Sequence, residues 1–593
     1  MDLISWVKGK NQNLLIIIIL IFLTLAFCIP VIKNIDKLGV SDWDYFYALN
    51  GAITKTILEY HQIPLWNPYM CGGMPLMGYP ESSFPSLTSL NAMIFGVVVG
   101  LKIDMIIHLI LGLIGMFYLL RYLKLSLISS FLGSIIFVLN SAFIWNILAG
   151  YTNFMGFAYL PLVFLFYLKA FEKKSYTVIS SIFMVLMILE GGRHPALTTI
   201  LLLIMHSVFL GLKNRNLKSF KIVILIFLFS FLLGSVKILP GIDWINQYVI
   251  SGSCVWNSSY IDEIHDMFFI VPWMSNEEFS AYTGFFPMVL FLISIPVLLK
   301  KEYPLILTCF MFFLLMLGNF SFFAPWNFFN HIPPFNYFDV TTRMRFVFVF
   351  ILSILVAMLV TKIENISFSV NKLNILKTVI IMILVFYITF DLATNDYKLL
   401  DGSSYAELPE INESEEFRQV ENFPLYGALS SLYPTLLQNE GTPYCEFVAL
   451  DSSSPISTFD DEDYTGEVYL KFKNGHVEYE YWSPNIMIVA LNVTDNDILV
   501  INQNFDYNWK AADREVSLFR RKPIRLNRIY YKGLISTKVK PNDRKIIFYY
   551  MPYSFIVGLM VSTLSVIACF LYFFKKSLVN KFINILKRYA SAG

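Results

Sequence analysis

Residues 41–85 read SDWDYFYALNGAITKTILEYHQIPLWNPYMCGGMPLMGYPESSFP. The stretch follows a first apolar run and is too polar, and too rich in proline and glycine, to cross a membrane itself. Asp42 and Asp44 open it, and the residues from Tyr45 to Tyr60 have a helical pattern. After Pro64 come Trp66-Asn67-Pro68-Tyr69, a Cys71-Gly72-Gly73 bend, and then Pro75, Pro80 and Pro85. Prolines and paired glycines set sharp turns, and tryptophan and tyrosine suit the membrane–water boundary. The stretch is a built loop that carries acids to a membrane surface, and such loops commonly carry function.

The chain around it has 593 residues, of which 56% are hydrophobic, 17% aromatic and 15% charged. A soluble protein would carry about 25% charged residues, so the composition is that of a polytopic membrane protein. A net charge of +2 gives no argument for a nucleic-acid partner. Twelve apolar segments read as spans, near 13–31, 103–120, 126–145, 156–171, 176–190, 196–212, 221–239, 282–300, 303–318, 345–361, 377–393 and 549–574. Residues 88–100 read as a re-entrant or interfacial helix.

Lysine and arginine sort the loops into two sets. Lys8, Lys10, Arg121, Lys124, Lys173, Lys174, the run Lys213 to Lys221, Lys300, Lys301, Lys372, Lys377 and the tail from Lys575 to Arg588 fall on one face. The positive-inside rule puts that face, with both termini, in the cytoplasm of a cell-membrane protein. The 41–85 loop, the loops near 190–196, 240–281 and 319–344, and residues 394–548 then lie outside.

Residues 394–548 hold no membrane-length run. The alternating stretch VYLKFKNGHVEYEY, Val468 to Tyr481, is broken by Asn474-Gly475, a hairpin signal. Residues 486–493 and 497–501 read as further strands. The expected fold is a polytopic α-helical membrane domain over 1–393, with its first outer loop at 32–102. A small, mainly β, extracytoplasmic domain follows at 394–548, then a final span and basic tail at 549–593.

Six cysteines are present. Cys28, Cys309 and Cys569 fall in apolar spans. Cys71, Cys254 and Cys445 fall outside, an odd number that gives no disulfide framework. No Cys/His spacing reads as a zinc site, no P-loop is present, and no serine- or cysteine-nucleophile signature is seen.

The run LEYHQIPLWNPYMCGGMPLMGYPES, preceded by Asp42-Trp43-Asp44, resembles the first extracytoplasmic loop of the YfhO-like bacterial membrane proteins, relatives of the GT-C glycosyltransferases. NFDYNWKA (504–511) and YYMPYSFIVGLMVS (549–562) resemble the junction between that family's outer domain and its last span. The resemblance implies an integral-membrane enzyme that moves a sugar from a polyprenyl-phosphate donor to an extracytoplasmic glycan, lipid or protein. In such enzymes an acid of the first outer loop accepts the acceptor's proton. Asp44 and Asp42 match that position. On a helix they point about 200° apart, so one faces the reaction. Asp44 is the expected base, with Asp42 suited to capping the helix. A D-x-D pair can hold a divalent cation, but a single-phosphate lipid donor does not require one, and neither metal nor cofactor is expected.

Glu190-Gly191-Gly192-Arg193-His194-Pro195 is similar to a Gly-Gly-His-Pro turn of the family. Arginine carries a planar fork suited to phosphate, so Arg193 and His194 are expected to hold the donor phosphate. In NYFDVTTRMR, 336–345, the resemblance picks out Arg343 for the same task, and Asp339 stands where relatives often carry an arginine. Arginines entering a span from outside are costly unless paired or facing a polar cavity. Trp66, Asn67, Tyr69 and Glu81 of the loop, with His265 and Asp266 of the 240–281 loop, are expected to shape the acceptor side. Two other readings differ in class. A flippase for lipid-linked saccharides would need charges deep in its spans and often internal repeats. A non-catalytic envelope-assembly protein would survive loss of the loop acids.

Overall fold

The computed structural model describes residues 3–248, 262, 264–269, 280–333, 335, 338, 340–421, 431–445, 456–512, 523–524 and 533–590; the side chains of 3–10, 248, 523–524 and 573–590 are not among what it describes. Cys254, Glu263 and Asp339 therefore lie outside the described residues.

Among those residues eight helices are long and apolar enough to cross a membrane: Val97–Tyr122, Leu127–Ala149, Thr152–Lys169, Arg193–Asn214, Lys218–Gln247, Thr341–Glu364, Asn371–Asp401 and Tyr553–Tyr572. Asn11–Phe27 and Tyr176–Leu189 are shorter apolar helices. Phe285–Met316 is helical throughout except at Glu302, which follows Lys300 and Lys301 and divides it into two arms. The protein is membrane-embedded. Thr341–Glu364 is enclosed by its neighbours, with Val347 through Ala357 buried without interruption. A helix that is apolar all round packs in this way. The expected helix at 88–100 is two pieces. Leu87–Phe95 starts from a capping box at Ser86 and Ser89, and Gly96 breaks the chain before Val97.

Among the described residues, beside three two-residue strand pairs, the eight strands between Val468 and Tyr550 form two sheets. We number them β1 Val468–Leu470, β2 Gly475–Trp482, β3 Ile486–Val493, β4 Asp497–Asn504, β5 Trp509–Ala512, β6 Pro523–Ile524, β7 Leu534–Val539 and β8 Lys545–Tyr550. One sheet has the order β6-β5-β8-β3-β2 and the other β7-β4-β1. Inward residues of both, such as Met487, Val489, Leu499, Ile501, Ile535 and Phe548, make one core. The Asn474-Gly475 hairpin does not form. β1 pairs with β4 and β2 pairs with β3, so the turn carries the chain between sheets. The Asp497 carboxylate accepts the N–H groups of Phe472 and Asn474, which holds the turn over β4 rather than letting it close on itself.

The first outer loop belongs to this sandwich as much as to the helices. Trp66 enters the sandwich core. Its ring lies 5.5 Å from Trp509 and 4.9 Å from Tyr550, its indole N–H donates to Gln503 Oε1 at 2.8 Å, and its backbone N–H donates to Asn485 Oδ1 at 3.0 Å. At Gly73, φ is +101° and a Cβ would stand 2.7 Å from the Trp66 ring, so only glycine fits. Backbone bonds run from Gly72 N–H to Thr442 O and from Asn504 N–H to Gly72 O. Cys71 is joined to Cys445 by a disulfide across 374 residues of sequence. The odd cysteine count concealed this pair. On the membrane side, the buried Lys237 ammonium donates to the carbonyls of Met77 at 3.0 Å and Tyr79 at 2.9 Å.

Trp66→Ala is expected to cost about 3–5 kcal/mol, the usual loss for a buried tryptophan. Denaturant unfolding followed by the fluorescence of the remaining tryptophans measures it. A loss below about 1 kcal/mol would mean that the loop is not part of the sandwich core.

Candidate active site

The site begins at the turn after helix Tyr176–Leu189. Gly191 has φ +73°, and a Cβ there would lie 2.4 Å from the Glu81 carbonyl oxygen. The glycine thus lets the turn pack directly on the outer loop. Arg193 begins the next helix, Arg193–Asn214. Its guanidinium meets the Glu81 carboxylate at 3.3 Å, with Arg193 35% and Glu81 11% exposed. His194 is buried. Arg343 donates from Nη1 to His194 Nε2 at 2.7 Å. An arginine can only donate, so Nε2 carries the lone pair and the proton sits on Nδ1. Phe154 stacks on the His194 ring at 5.4 Å and lies 5.2 Å from the Arg343 guanidinium, and Phe338 meets His194 edge-on at 4.7 Å.

Glu81 is also approached by two phenols. Tyr45 donates to Tyr79, and both hydroxyls lie 3.4 Å from Glu81 Oε2. Burial, with Tyr79 and Glu81 close by, pushes the Tyr45 phenol well above its ordinary pKa. Tyr79 is raised in the same way, by burial first and Glu81 second. Both are neutral donors facing a carboxylate. Arg193, His194, Arg343 and Glu81, expected from three separate stretches of sequence, thus form one cluster. Tyr45, Tyr79 and Phe154 complete it. Sequence reasoning missed them because aromatic residues are frequent throughout this chain and nothing in their spacing marks these three.

The two loop aspartates do different things. Asp44 is buried, and its oxygens accept the N–H groups of Leu432 at 2.9 Å and Tyr433 at 3.0 Å. These are the first N–H groups of helix Leu432–Leu437, so Asp44 caps a helix 388 residues further along the chain. Asp42 occupies the N-cap position of its own helix, Trp43–Leu58, with no side-chain capping bond. It is half-buried, and its neighbours Ser41 and Trp43 line a cavity of about 230 Å³ shared with Trp145, Leu148, Leu400 and Tyr405. A run of rings joins this helix to the arginine cluster: Phe46 meets Tyr151, Tyr151 meets Phe154, and Phe154 meets His194.

The other expected residues lie elsewhere. Trp66, Asn67 and Tyr69 are buried and hold the loop to the sandwich domain. Asn67 Oδ1 accepts the Tyr69 N–H at 3.0 Å, and the Tyr69 ring packs on Phe417 and Trp482. Burial leaves them no open face to shape an acceptor. His265 and Asp266 are exposed on the short helix Ile264–Phe269 and meet each other at 3.2 Å. Glu190 turns away from Arg193, toward Thr88 and the Leu87 N–H. Arg345 is buried, 5.4 Å from the Phe346 ring.

No protein-family model matches the chain. No curated protein matches it. Among solved structures, the cryo-EM structure of the arabinofuranosyltransferase AftD from Mycobacteria is similar at a TM-score of 0.43 and 12% identity, over 66% of this chain. The chain spans 27% of the length of that protein.

Proposed function

We propose that the chain is an integral-membrane glycosyltransferase of GT-C type that transfers a sugar from a polyprenyl-phosphate donor to an extracytoplasmic hydroxyl. The observation that carries this is the cluster at two helix starts in which Arg343 meets His194 and the adjacent Arg193 meets Glu81 of the acid-bearing loop. Three groups able to donate to phosphate oxygens, packed against aromatic rings, suit a lipid phosphate better than they suit a structural ion pair. The sequence resemblance supplies the sugar chemistry. In this reading the helices number about twelve crossings, counting the arms of Phe285–Met316 and the shorter helices, and both termini are cytoplasmic. Residues 394–548 form the outer domain. The Cys71–Cys445 disulfide suits an oxidising outer face.

The reaction follows from the parts. The acceptor oxygen attacks the anomeric carbon, the bond to the phosphate oxygen breaks, and the configuration inverts. Charge builds on the departing phosphate, where Arg193 and Arg343 lower the barrier. A loop carboxylate takes the acceptor's proton. Both Asp44 oxygens are already taken by the N–H groups of Leu432 and Tyr433. We therefore place proton acceptance on Asp42, beside the cavity, and give Asp44 the task of holding helix Leu432–Leu437.

Two outcomes are expected in an assay with purified protein, labelled polyprenyl-phosphate sugars and a cell-envelope acceptor fraction. Arg193→Ala and Arg343→Ala should each weaken apparent donor affinity by roughly 10- to 100-fold, the worth of a charged hydrogen bond. Arg343→Lys should restore it only in part, because the fork is lost. Unchanged donor affinity in both alanine variants would remove the cluster from the site.

The second outcome separates the aspartates. Asp42→Asn should slow transfer about 10²- to 10⁴-fold at unchanged stability. Asp44→Asn turns an amide N–H₂ toward a helix N–H and should cost about 1–3 kcal/mol of stability. Wild-type transfer by Asp42→Asn would send the base elsewhere.

A further inference from the structure

Below the Arg193 turn lies a polar cluster that the transfer reading does not use. Asp104 and His108 sit one helical turn apart on Val97–Tyr122, and Glu190 ends the neighbouring helix. All three are at most 1% exposed. Their ligand atoms lie within 4.8 Å of one another. Thr88 joins them, its hydroxyl 2.7 Å from Asp104 Oδ2 and 2.5 Å from Glu190 Oε2.

With a neutral His108 ring, two features of this cluster call for one more positive charge, a proton or a metal ion. His108 Nδ1 lies 2.9 Å from the Asp104 backbone carbonyl and 3.1 Å from Asp104 Oδ2, so the ring's proton belongs on Nδ1. Nε2 then presents a lone pair. It is buried, has no hydrogen-bond partner among the described residues, and faces Glu190 Oε1 at 3.6 Å. A lone pair and a carboxylate oxygen repel each other. The Thr88 hydroxyl has a single proton, yet two carboxylate oxygens lie within hydrogen-bond distance of it. A cation between these atoms resolves both conflicts.

We propose that His108 Nε2, Asp104, Glu190 and Thr88 Oγ1 bind one divalent transition-metal ion. One imidazole nitrogen, two carboxylates and a hydroxyl, with no thiolate, form a donor set for Zn²⁺ or Mn²⁺. The surroundings are those of an oriented ligand shell. The Asp104 carbonyl fixes the His108 tautomer. Asn91 donates to Asp104 Oδ1 at 2.9 Å, which orients the carboxylate. The Leu87 N–H donates to Glu190 at 3.2 Å, and the Tyr159 ring stands edge-on to His108 at 5.3 Å. The ion joins helix Leu87–Phe95, at the end of the outer loop, to helix Val97–Tyr122 and to the turn that presents Arg193 and His194. Its task is to set that turn. It does not depend on the identity of the sugar donor or on transfer itself.

The test is metal content. Protein purified in detergent without chelator should retain about one zinc or manganese ion per chain by elemental analysis. Chelator-stripped protein should unfold at a lower temperature and recover on addition of Zn²⁺ or Mn²⁺ alone. His108→Gln and Glu190→Gln should lose the retained ion, whereas Asp42→Asn keeps it. Absence of retained metal in the wild-type protein, with no thermal shift from either ion, would overturn the proposal and leave a proton-bridged Asp–His–Glu network. Equal retention by both glutamine variants would place the ion elsewhere and overturn it too. The wild-type measurement stands even if a variant fails to fold.

Discussion

The insertion of Trp66 into the core between two β-sheets is the contact on which the sandwich and the 41–85 loop both depend. A tryptophan side chain buries more apolar surface than any other, and its indole N–H needs a partner when buried. Gln503 supplies one, and Asn485 holds the backbone beside it. Once Trp66 is seated, the Cys71-Gly72-Gly73 bend can lie only where Gly73 clears the ring. That places Gly72 against Thr442 and Asn504, and Cys71 against Cys445. The Asp44 cap on helix Leu432–Leu437 fixes the other end of the same loop.

The loop is therefore suspended between two bodies. Above, it is part of the sandwich. Below, Lys237 grips the carbonyls of Met77 and Tyr79, and Glu81 meets Arg193. A buried cation in a membrane protein is costly without partners, and Lys237 finds them in two loop carbonyls while the part-exposed Arg193 meets a loop carboxylate. The short segment Met77–Glu81 thus links the part of the loop held in the sandwich to the arginine cluster.

Much of this was legible in the sequence, for reasons that can be named. The 41–85 loop announced itself because prolines, paired glycines and aromatics cluster there. Arg193 and His194 stood out through their Gly-Gly-Arg-His-Pro turn, and Arg343 because an arginine entering an apolar span is costly without a partner. The apolar segments were plain from composition. What failed did so where distant chain decides. Asn474-Gly475 has hairpin chemistry, yet the Asp497 carboxylate takes the turn's N–H groups and sends β1 and β2 to different sheets. Cys71 finds its partner 374 residues away, beyond any spacing rule. Asp44 meets N–H groups whose approach no local pattern records. Asp104 and His108 were readable as an i, i+4 pair of ionisable residues inside an apolar helix, a rare arrangement, but without Glu190 and Thr88 beside them the pair had no meaning.

The central claim is that the first outer loop and the sandwich are one cooperative body. Hydrogen–deuterium exchange on the purified protein tests it most directly. The amides of Trp66, Gly72, Leu432, Tyr433, Thr442 and Asn504 are each bonded across the junction. The account predicts that they exchange together, with the slow amides of β3, β4 and β8, and that reduction of Cys71–Cys445 speeds the whole set at once. Rapid exchange at Trp66 and Gly72 while the strands stay protected would show a loop merely resting on the domain, and would contradict the account.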